Sequence, residues 1–338
     1  TGDDSFTFTV NDGTVDSAEA TVSITVNRIP VLGFTDITSV AGTAGPVEGG
    51  HGVMFGDVDN DGFPDLYLTI NFQNRNGQRD YFFRNLGGGI FAEEAVARRI
   101  DDADGGSHGA AWADLDNDGD YDLINGTTWS WDGSVGGTFG FPDHNNVYRN
   151  DGVGTGFFTD VTPAGMLEPE QIETRAFIAF DFEGDGDLDL FGVPGSQPEL
   201  LGKNEAFLNN GNFDFTVYEG GGLSTAIATQ GAIDTDFNND RNIDVLAANR
   251  SGDFAIVLND GAGLFTQQSP TAFGITHRAG DGITTADVDN DGDLDLLLVS
   301  DGTGQLYRRD PGTYVHVFTF SVVEGYMGGF ADLDNDGY

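Results

Sequence analysis

Asp57-Val58-Asp59-Asn60-Asp61-Gly62-Phe63-Pro64-Asp65 lies between two short apolar runs, Val53-Met54-Phe55 and Leu66-Tyr67-Leu68-Thr69-Ile70. The pattern Asp-x-Asp-x-Asp-Gly-x-x-Asp returns along the chain. The second copy is Asp114-Leu115-Asp116-Asn117-Asp118-Gly119-Asp120-Tyr121-Asp122 and the third Asp181-Phe182-Glu183-Gly184-Asp185-Gly186-Asp187-Leu188-Asp189. The fourth, Asp236-Phe237-Asn238-Asn239-Asp240-Arg241-Asn242-Ile243-Asp244, has Arg at the glycine position and Asn238 in place of a carboxylate. The fifth places Asp287, Asp289, Asp291, Asp293 and Asp295 in the same frame, and the sixth begins at Asp332, Asp334 and Asp336 and stops at Tyr338. Turn chemistry alone favours Asp, Asn and Gly, but it does not fix positions 1, 3, 5, 6 and 9 together in six copies.

Carboxylates at positions 1, 3, 5 and 9, with the main-chain carbonyl of position 7, can surround one hard cation with oxygen, the ligand set of calcium. Position 7 is Phe63, Asp120, Asp187, Asn242 and Asp293 in the first five loops. Without a cation, two carboxylates about 5 Å apart at an effective dielectric near 20 repel by roughly 3 kcal/mol, and each loop holds several such pairs. Magnesium demands a tighter octahedron and keeps its waters, and zinc lacks its usual ligands in a chain with no Cys and 5 His. The expected cofactor is Ca2+, about five or six ions per chain, with the fourth site weakest or empty. An EF-hand is excluded, because position 12 is Leu68, Asn125, Gly192 and Leu298 in loops one, two, three and five rather than a bidentate Glu, and the flanks read as strands rather than helices.

Acidic residues number 56 against 14 basic ones, a formal net charge of −42, and 22 of those acids sit at positions 1, 3, 5 and 9 of the loops. Six calcium ions would still leave about −30, so nucleic acid and anionic membranes are poor partners. The absence of Cys excludes disulfides and thiol chemistry. Loops of this kind stay filled where calcium is millimolar, which places the protein outside the cell or on its surface. No run of about eighteen apolar residues and no leader at Thr1 is present, so a membrane span or signal peptide is not expected here, and the chain is expected to be part of a longer protein.

The loops start at 57, 114, 181, 236, 287 and 332, a period characteristic of propellers and arrays. Between them lie hairpins, such as Tyr81 to Asn85 with Ile90-Phe91-Ala92, and Val147-Tyr148-Arg149-Asn150-Asp151-Gly152 with Phe157 to Val161. One unit therefore reads as strand A, acidic loop, strand B, variable loop, strand C, tight turn and strand D, which is one four-stranded propeller blade. Phe34-Thr35-Asp36-Ile37-Thr38 matches Phe158 to Thr162 and is expected to be a lone D strand that could complete the last blade.

Gly50-His51-Gly52-Val53 leading into the first loop, together with the Tyr-Arg-Asn-Asp-Gly hairpin at 148–152, resembles the FG-GAP and VCBS-type calcium-binding propellers, the group that includes the integrin α-subunit head and cartilage-acidic-protein-like bacterial proteins. The resemblance implies an all-β propeller over residues 31–338, usually of seven blades, with calcium loops on the lower face and ligands on the upper; six units are visible here and the last is cut short. Residues 1–30 form an alternating β-hairpin that resembles the end of an immunoglobulin-like or cadherin-like repeat, or a linker packed on a neighbour.

Two places could bind a partner. The long loop Asn125 to Asn146 contains Trp129, Trp131, Phe139, Phe141 and His144, material for a sugar platform or a protein hot spot. Six residues before each acidic loop lie His51, His108, Arg175, Gln230, Asp281 and Tyr326, a ring of polar groups at the mouth of the channel. Neither a Cys nucleophile nor a Gly-x-Ser-x-Gly elbow with its partners occurs, so the chain is not expected to be an enzyme. The reading is an adhesion, binding or structural module of a larger surface protein, with a glycan or protein ligand on the upper face. The alternatives are a polysaccharide lyase working through rim residues such as His51, His108, Arg175 or Tyr326, and a self-associating filament subunit.

Overall fold

The computed structural model describes residues 2–8, 20–26, 36–44, 50–70, 79–102, 106–127, 145–152, 157–163, 174–194, 205–218, 222–223, 231–248, 254–277, 282–300, 302–310 and 312–321. Two compact units are present, one containing the first two strands and the other all the four-stranded sheets. In the first unit β1 (Gly2–Phe8) pairs antiparallel with β2 (Ala20–Val26), Gly2 opposite Val26 and Phe8 opposite Ala20.

The second unit is a series of antiparallel sheets of four strands each, ordered as the chain runs. Blade one is β3 (Gly50–Gly56), β4 (Asp65–Ile70), β5 (Tyr81–Asn85) and β6 (Phe91–Glu93). Blade two is β7 (Ser107–Ala113), β8 (Asp122–Thr127), β9 (Asn146–Asn150) and β10 (Phe158–Asp160). Blade three is β11 (Thr174–Phe180), β12 (Asp189–Pro194), β13 (Glu205–Asn209) and β14 (Phe215–Val217). Blade four is β15 (Gly231–Thr235), β16 (Asp244–Ala248), β17 (Ala255–Asn259) and β18 (Phe265–Gln268). Blade five is β19 (Gly282–Ala286), β20 (Asp295–Ser300), β21 (Thr303–Asp310) and β22 (Thr313–Ser321). The first strands of successive blades, β3, β7, β11, β15 and β19, pack side by side in that order.

The expectation of seven blades is therefore corrected: the described residues form five four-stranded sheets. The reason is chain length. Each blade uses the whole interval between one acidic loop and the next, so residues 50–321 are consumed by five of them, and the sixth loop at 332–338 lies outside the described residues. The lone D strand also needs correction. Phe34 and Thr35 lie outside the described residues, and Thr38–Ala41 is a helical turn, α1, ended by Gly42 in the left-handed region at φ 82°. Only glycine fits there, since a Cβ would stand 2.6 Å from the main-chain oxygen of Phe91 in β6. A similar turn, α2 (Ala95–Arg98), follows the D strand of blade one and ends at Arg99 with φ 66°.

The blades are held by apolar layers between neighbouring sheets. Residue 2 of the first four acidic loops is the inward anchor: Val58, Leu115, Phe182 and Phe237 are all buried, and Val288 of the fifth is half-buried. Val58 packs with Tyr67, Phe82, Leu123 and Phe158 between the first two blades, and Phe237 with Leu246, Ile256, Leu298 and Tyr314 between the last two. Burying one such side chain contributes about 1.5–3 kcal/mol.

A polar clasp runs parallel to this core. The last residue of strand C is buried Asn150, Asn209 or Asn259 in blades two, three and four, and its amide donates back to the preceding blade's loop. Asn150 Nδ2 reaches Val58 O at 3.1 Å, Asn209 Nδ2 reaches Leu115 O at 2.8 Å, and Asn259 Nδ2 reaches Phe182 O at 3.1 Å. In blade five Arg309 takes this place, its Nη1 2.6 Å from Phe237 O. Asn209→Ala is expected to orphan the Leu115 and Leu188 carbonyls and lower the unfolding free energy by about 1–3 kcal/mol, while Asn210→Ala next to it, on an exposed residue, changes it little; urea unfolding of the two variants reads the difference.

Candidate metal centres

Each acidic loop begins where strand A leaves its sheet and ends where strand B enters it. The residue at position 1 holds the turn closed: Asp57 Oδ1 accepts from Asp61 N at 3.0 Å and its Oδ2 from Gly62 N at 2.9 Å, and Asp114, Asp236 and Asp287 repeat both bonds. Position 4 lies in the left-handed region, with Asn60 at φ 55°, Asn117 at 57°, Asn239 at 63° and Asn290 at 57°, which is why Asn or Gly stands there. Position 6 does too. Arg241 sits at φ 76° where the other described loops have glycine, a strain of about 1–2 kcal/mol.

These turns gather carboxylates. Oxygens of Asp57, Asp59 and Asp61 lie within 4.8 Å of one another, as do those of Asp114, Asp116 and Asp122, and those of Asp287, Asp289 and Asp291. At position 3 the side chains carry buried oxygens that accept no hydrogen bond: Asp59 Oδ1, Asp116 Oδ1 and Glu183 Oε2. A buried carboxylate oxygen without a donor costs free energy that a cation would recover. Burial, and after it the neighbouring Asp118, raises the Asp116 carboxyl above the usual carboxylate range, and burial followed by Asp185 does the same to Glu183. The donor set is all oxygen, so the residues present fit a hard cation.

The fourth loop is different in kind. Asn238 Nδ2 donates to Asp240 Oδ2 at 2.8 Å, so an amide occupies the space that a position-3 carboxylate fills elsewhere. The side chains at position 7 are also directed away from any loop centre of their own: Asn60 Nδ2 donates to Asp120 Oδ1 at 2.7 Å, Asn117 Nδ2 to Asp187 Oδ1 at 2.7 Å and Asn239 Nδ2 to Asp293 Oδ1 at 2.5 Å. Each links one loop to the next, which leaves the main-chain carbonyl as the position-7 group available to a cation.

Position 9 carries a second duty that spacing alone does not reveal. Asp65, Asp122, Asp189, Asp244 and Asp295 are all buried, and each spans two backbone donors. Asp122 Oδ2 accepts from Leu115 N at 2.9 Å and its Oδ1 from Asn150 N at 2.9 Å, and the other four repeat this with Val58 and Asn85, Phe182 and Asn209, Phe237 and Asn259, and Val288 and Arg309. Burial pushes these carboxyls up, to about 6 in Asp65 and Asp244 and about 7 in Asp122 and Asp189, against the opposing pull of the two N–H donors.

Of the other expected binding residues, His51, His108 and Arg175 lie at the ends of β3, β7 and β11 remote from the acidic loops. The His51 and His108 rings are 4.1 Å apart. Trp129, Trp131, Phe139, Phe141, His144, Gln230, Asp281, Tyr326, Asp332, Asp334 and Asp336 lie outside the described residues.

Antiparallel four-stranded sheets whose first strands adjoin in chain order define a β-propeller, here one with an acidic loop between the first two strands of every blade. An FG-GAP-like repeat pattern matches residues 57–124, 236–298 and 287–338, together half of the chain, and the chain belongs to that family. Cartilage acidic protein 1 of Mus musculus is 27% identical over 161 residues, 48% of this chain and 22% of the relative, and that of Homo sapiens is 27% identical over the same share of this chain and 21% of its own. The chain thus spans about a fifth of the length of the curated relatives it matches. Among solved structures, an Agrocybe aegerita lectin described as recognising non-reducing terminal N-acetylglucosamine overlaps 81% of this chain and 80% of its own, with 20% identity and a TM-score of 0.39.

The dual role of position 9 is testable. Asp122→Asn retains one acceptor for two buried N–H groups and is expected to lower stability by about 1–3 kcal/mol even in metal-free buffer, whereas Asp118→Asn, at exposed position 5, keeps its acceptor to Asp120 N and costs little there. Chemical denaturation in the presence of chelator separates the two.

Proposed function

We propose that the chain is a calcium-stabilised propeller module of a larger extracellular or cell-surface protein, without catalytic activity of its own, that presents the blade ends opposite the acidic loops to a glycan or protein partner. The observation that carries the reading is the recurrence of unsatisfied buried oxygens at position 3 of the first three loops, together with the convergence of carboxylates within 4.8 Å in the first, second and fifth.

Asp57, Asp59, Asp61, the Phe63 carbonyl and Asp65 would hold one ion, and Asp114, Asp116, Asp118, the Asp120 carbonyl and Asp122 a second. The third set is Asp181, Glu183, Asp185, the Asp187 carbonyl and Asp189, and the fifth is Asp287, Asp289, Asp291, the Asp293 carbonyl and Asp295. Asp236, Asp240, the Asn242 carbonyl and Asp244 make the weakest site, since Asn238 supplies a neutral amide there. Asp332, Asp334 and Asp336 would begin a sixth. The bound ion would neutralise the mutual repulsion of each cluster and provide the missing partner of its position-3 oxygen. Everything else in the loop is prepared by the chain itself, through the position-1 turn bonds and the position-9 bridge to strand C.

Module status fits the organisation of the chain, with the β1–β2 pair read as the end of a preceding immunoglobulin-like or cadherin-like repeat. An extracellular setting fits the ligand chemistry, because flexible all-oxygen loops of this kind hold calcium where it is millimolar. No helix among the described residues is long and apolar enough to cross a membrane.

Thermal unfolding with calcium and with excess chelator, paired with metal analysis by mass spectrometry, tests the proposal. The expected result is about five or six calcium ions per chain and a large loss of stability on chelation, since an ion bound only by the folded state adds RT ln(1 + [L]/Kd), about 2.7 kcal/mol at one hundred times Kd. Equal stability in both buffers with no bound metal would reduce the loops to ordinary turns.

A further inference from the structure

The first acidic loop differs from the third in what stands beside its position-3 carboxylate. Arg98, the last residue of α2, is buried with 8% of its surface exposed, and its guanidinium lies over the Phe82 ring, 5.2 Å from the centroid. Its Nε donates to Glu94 Oε2 at 3.0 Å, and its Nη2 stands 3.5 Å from Asp59 Oδ2. Arg84, on β5, donates from Nε to the other oxygen of Glu94 at 3.0 Å and brings Nη1 to 3.9 Å from the same Asp59 oxygen. Glu94 thus holds two guanidinium groups side by side, both turned toward one loop carboxylate. Two cations against a single carboxylate outside the loop leave one positive charge over for the loop itself.

Blade three is built differently at each of these places. The fourth residue of strand C is Arg84 in blade one and Leu208 in blade three, where it packs on the apolar layer between blades three and four. Glu94 N bonds to Phe82 O as Tyr218 N bonds to Ala206 O, so Tyr218 stands where Glu94 does. Arg98 precedes Arg99, whose left-handed conformation at φ 66° is matched by Gly222 at φ 89° after blade three, and the residue before Gly222 in the sequence is Gly221. Among the described residues, the ion pairs that reach a loop carboxylate are those of Arg84 and Arg98 with Asp59 and of Arg308 with Asp289. Arg308 is half-exposed and gives its Nη2 to Asp310 at 2.9 Å, so solvent weakens its hold on the fifth loop. Arg98 is the buried one.

We infer that Arg98, with Arg84 beside it, is a built-in counter-ion of the first acidic loop: it holds that loop together when calcium is absent and lowers its calcium affinity, so that the third loop fills before it. This rests on the reading of the loops as calcium sites and ranks two of them. Charge gives the sign. Asp57, Asp59, Asp61 and Asp65 lose half of their summed formal charge when a divalent ion binds, so a guanidinium fixed beside them is attracted more strongly before the ion arrives than after. A group that favours the empty state over the filled one weakens binding by that same margin. Holding Asp59 in place acts in the opposite direction, but ordering one short side chain contributes less than the interaction of a fixed cation with a divalent ion in a partly buried site. Salt screens a buried guanidinium little.

The test is a calcium titration of the whole chain, starting from chelated protein and followed through the amide 1H–15N resonances of Gly62 and Gly186, whose N–H groups close loops one and three on Asp57 and Asp181. Gly186 is expected to reach its midpoint at about 10-fold lower free calcium than Gly62. Arg98→Met keeps an apolar stem on Phe82 and removes the charge. It is expected to bring the Gly62 midpoint down by about 10-fold, to leave that of Gly186 in place, and to lower the melting temperature in chelator. Arg98→Lys restores the original midpoint. A purely structural role for Arg98 would reduce stability in both buffers with no gain in calcium affinity, and that outcome overturns the inference, as does a Gly62 midpoint that rises. Arg84→Leu places the residue of blade three at a half-buried position and is expected to move Gly62 in the same direction by about 3-fold. It decides the matter if Arg98→Met does not fold, since an unchanged midpoint there counts against the counter-ion. Failure of both glycines to respond to calcium in the unaltered chain would remove the calcium reading itself, whereas a response in both that no arginine variant alters removes the counter-ion alone.

Discussion

Everything in the repeating unit depends on one buried carboxylate, the aspartate that closes each acidic loop. Asp122 is representative: one oxygen takes the N–H of Leu115 at the start of its loop and the other the N–H of Asn150 at the end of strand C. Three chain segments that are far apart in sequence are thereby fixed to one side chain. Leu115 is also the apolar plug between sheets, so the same bond that shapes the loop sets how deep the plug is driven into the core. Asn150 in turn gives its amide to Val58 O of the preceding blade. Loop closure, sheet pairing and blade contact are consequently one connected set of interactions, repeated with Asp65, Asp189, Asp244 and Asp295.

This arrangement explains why an acidic loop tolerates so much charge. Ionising a carboxylate inside a protein is costly, and burial raises Asp122 and Asp189 to about 7. Two backbone donors offset part of that cost without any metal, so position 9 is prepared from within the chain. Position 3 is prepared less fully in the first three loops: Asp59, Asp116 and Glu183 each keep a buried oxygen with no donor, although the other oxygen of Asp59 pairs with Arg98 at 3.5 Å. The two positions divide the loop into a part whose charge is met by backbone donors and a part that, in the first three loops, keeps buried oxygens without a donor.

The alternation of strand, loop and strand was legible in the sequence because it rests on local rules: apolar runs of strand length, and Asp, Asn and Gly at turn positions. The phase of the loops likewise revealed where each blade begins. What the sequence concealed depends on contacts between repeats. Asn150, Asn209 and Asn259 read as turn residues of a hairpin, and only the packed blades reveal that their amides face the previous loop. Asn60, Asn117 and Asn239 carried a signal that could have been used, since Asn recurs at a position with positive φ, but its link to position 7 of the next loop requires two blades to be seen together. Blade number was not legible, because the chain sets the length of a repeat and not the number needed for closure. The strand expected at 34–38 rests on the likeness of Phe34-Thr35-Asp36 to the D strands; its last residue, Thr38, instead begins the α1 turn, and the deciding residue, Gly42, lies beyond the apparent match.

The two ends of a blade are under unequal constraint. At the loop end, residues 1, 4, 6 and 9 are each fixed by backbone geometry or by a buried bond, so every described blade is nearly the same there and even Arg241 is forced into a glycine conformation. At the opposite end the strands need only pair, and pairing tolerates an extra residue. Blades one to three use that freedom for a bulge between their first two strands, and the corresponding positions of blades four and five, 230 and 281, lie outside the described residues. A repeated fold acquires an individual surface in this way: loops that must be alike hold the sheets in place, and the ends that can differ carry His51, His108 and Arg175. The close approach of Gly109 to Arg175 O makes the difference permanent, since restoring regular pairing in β7 or β11 would pull apart backbone segments that are already in contact.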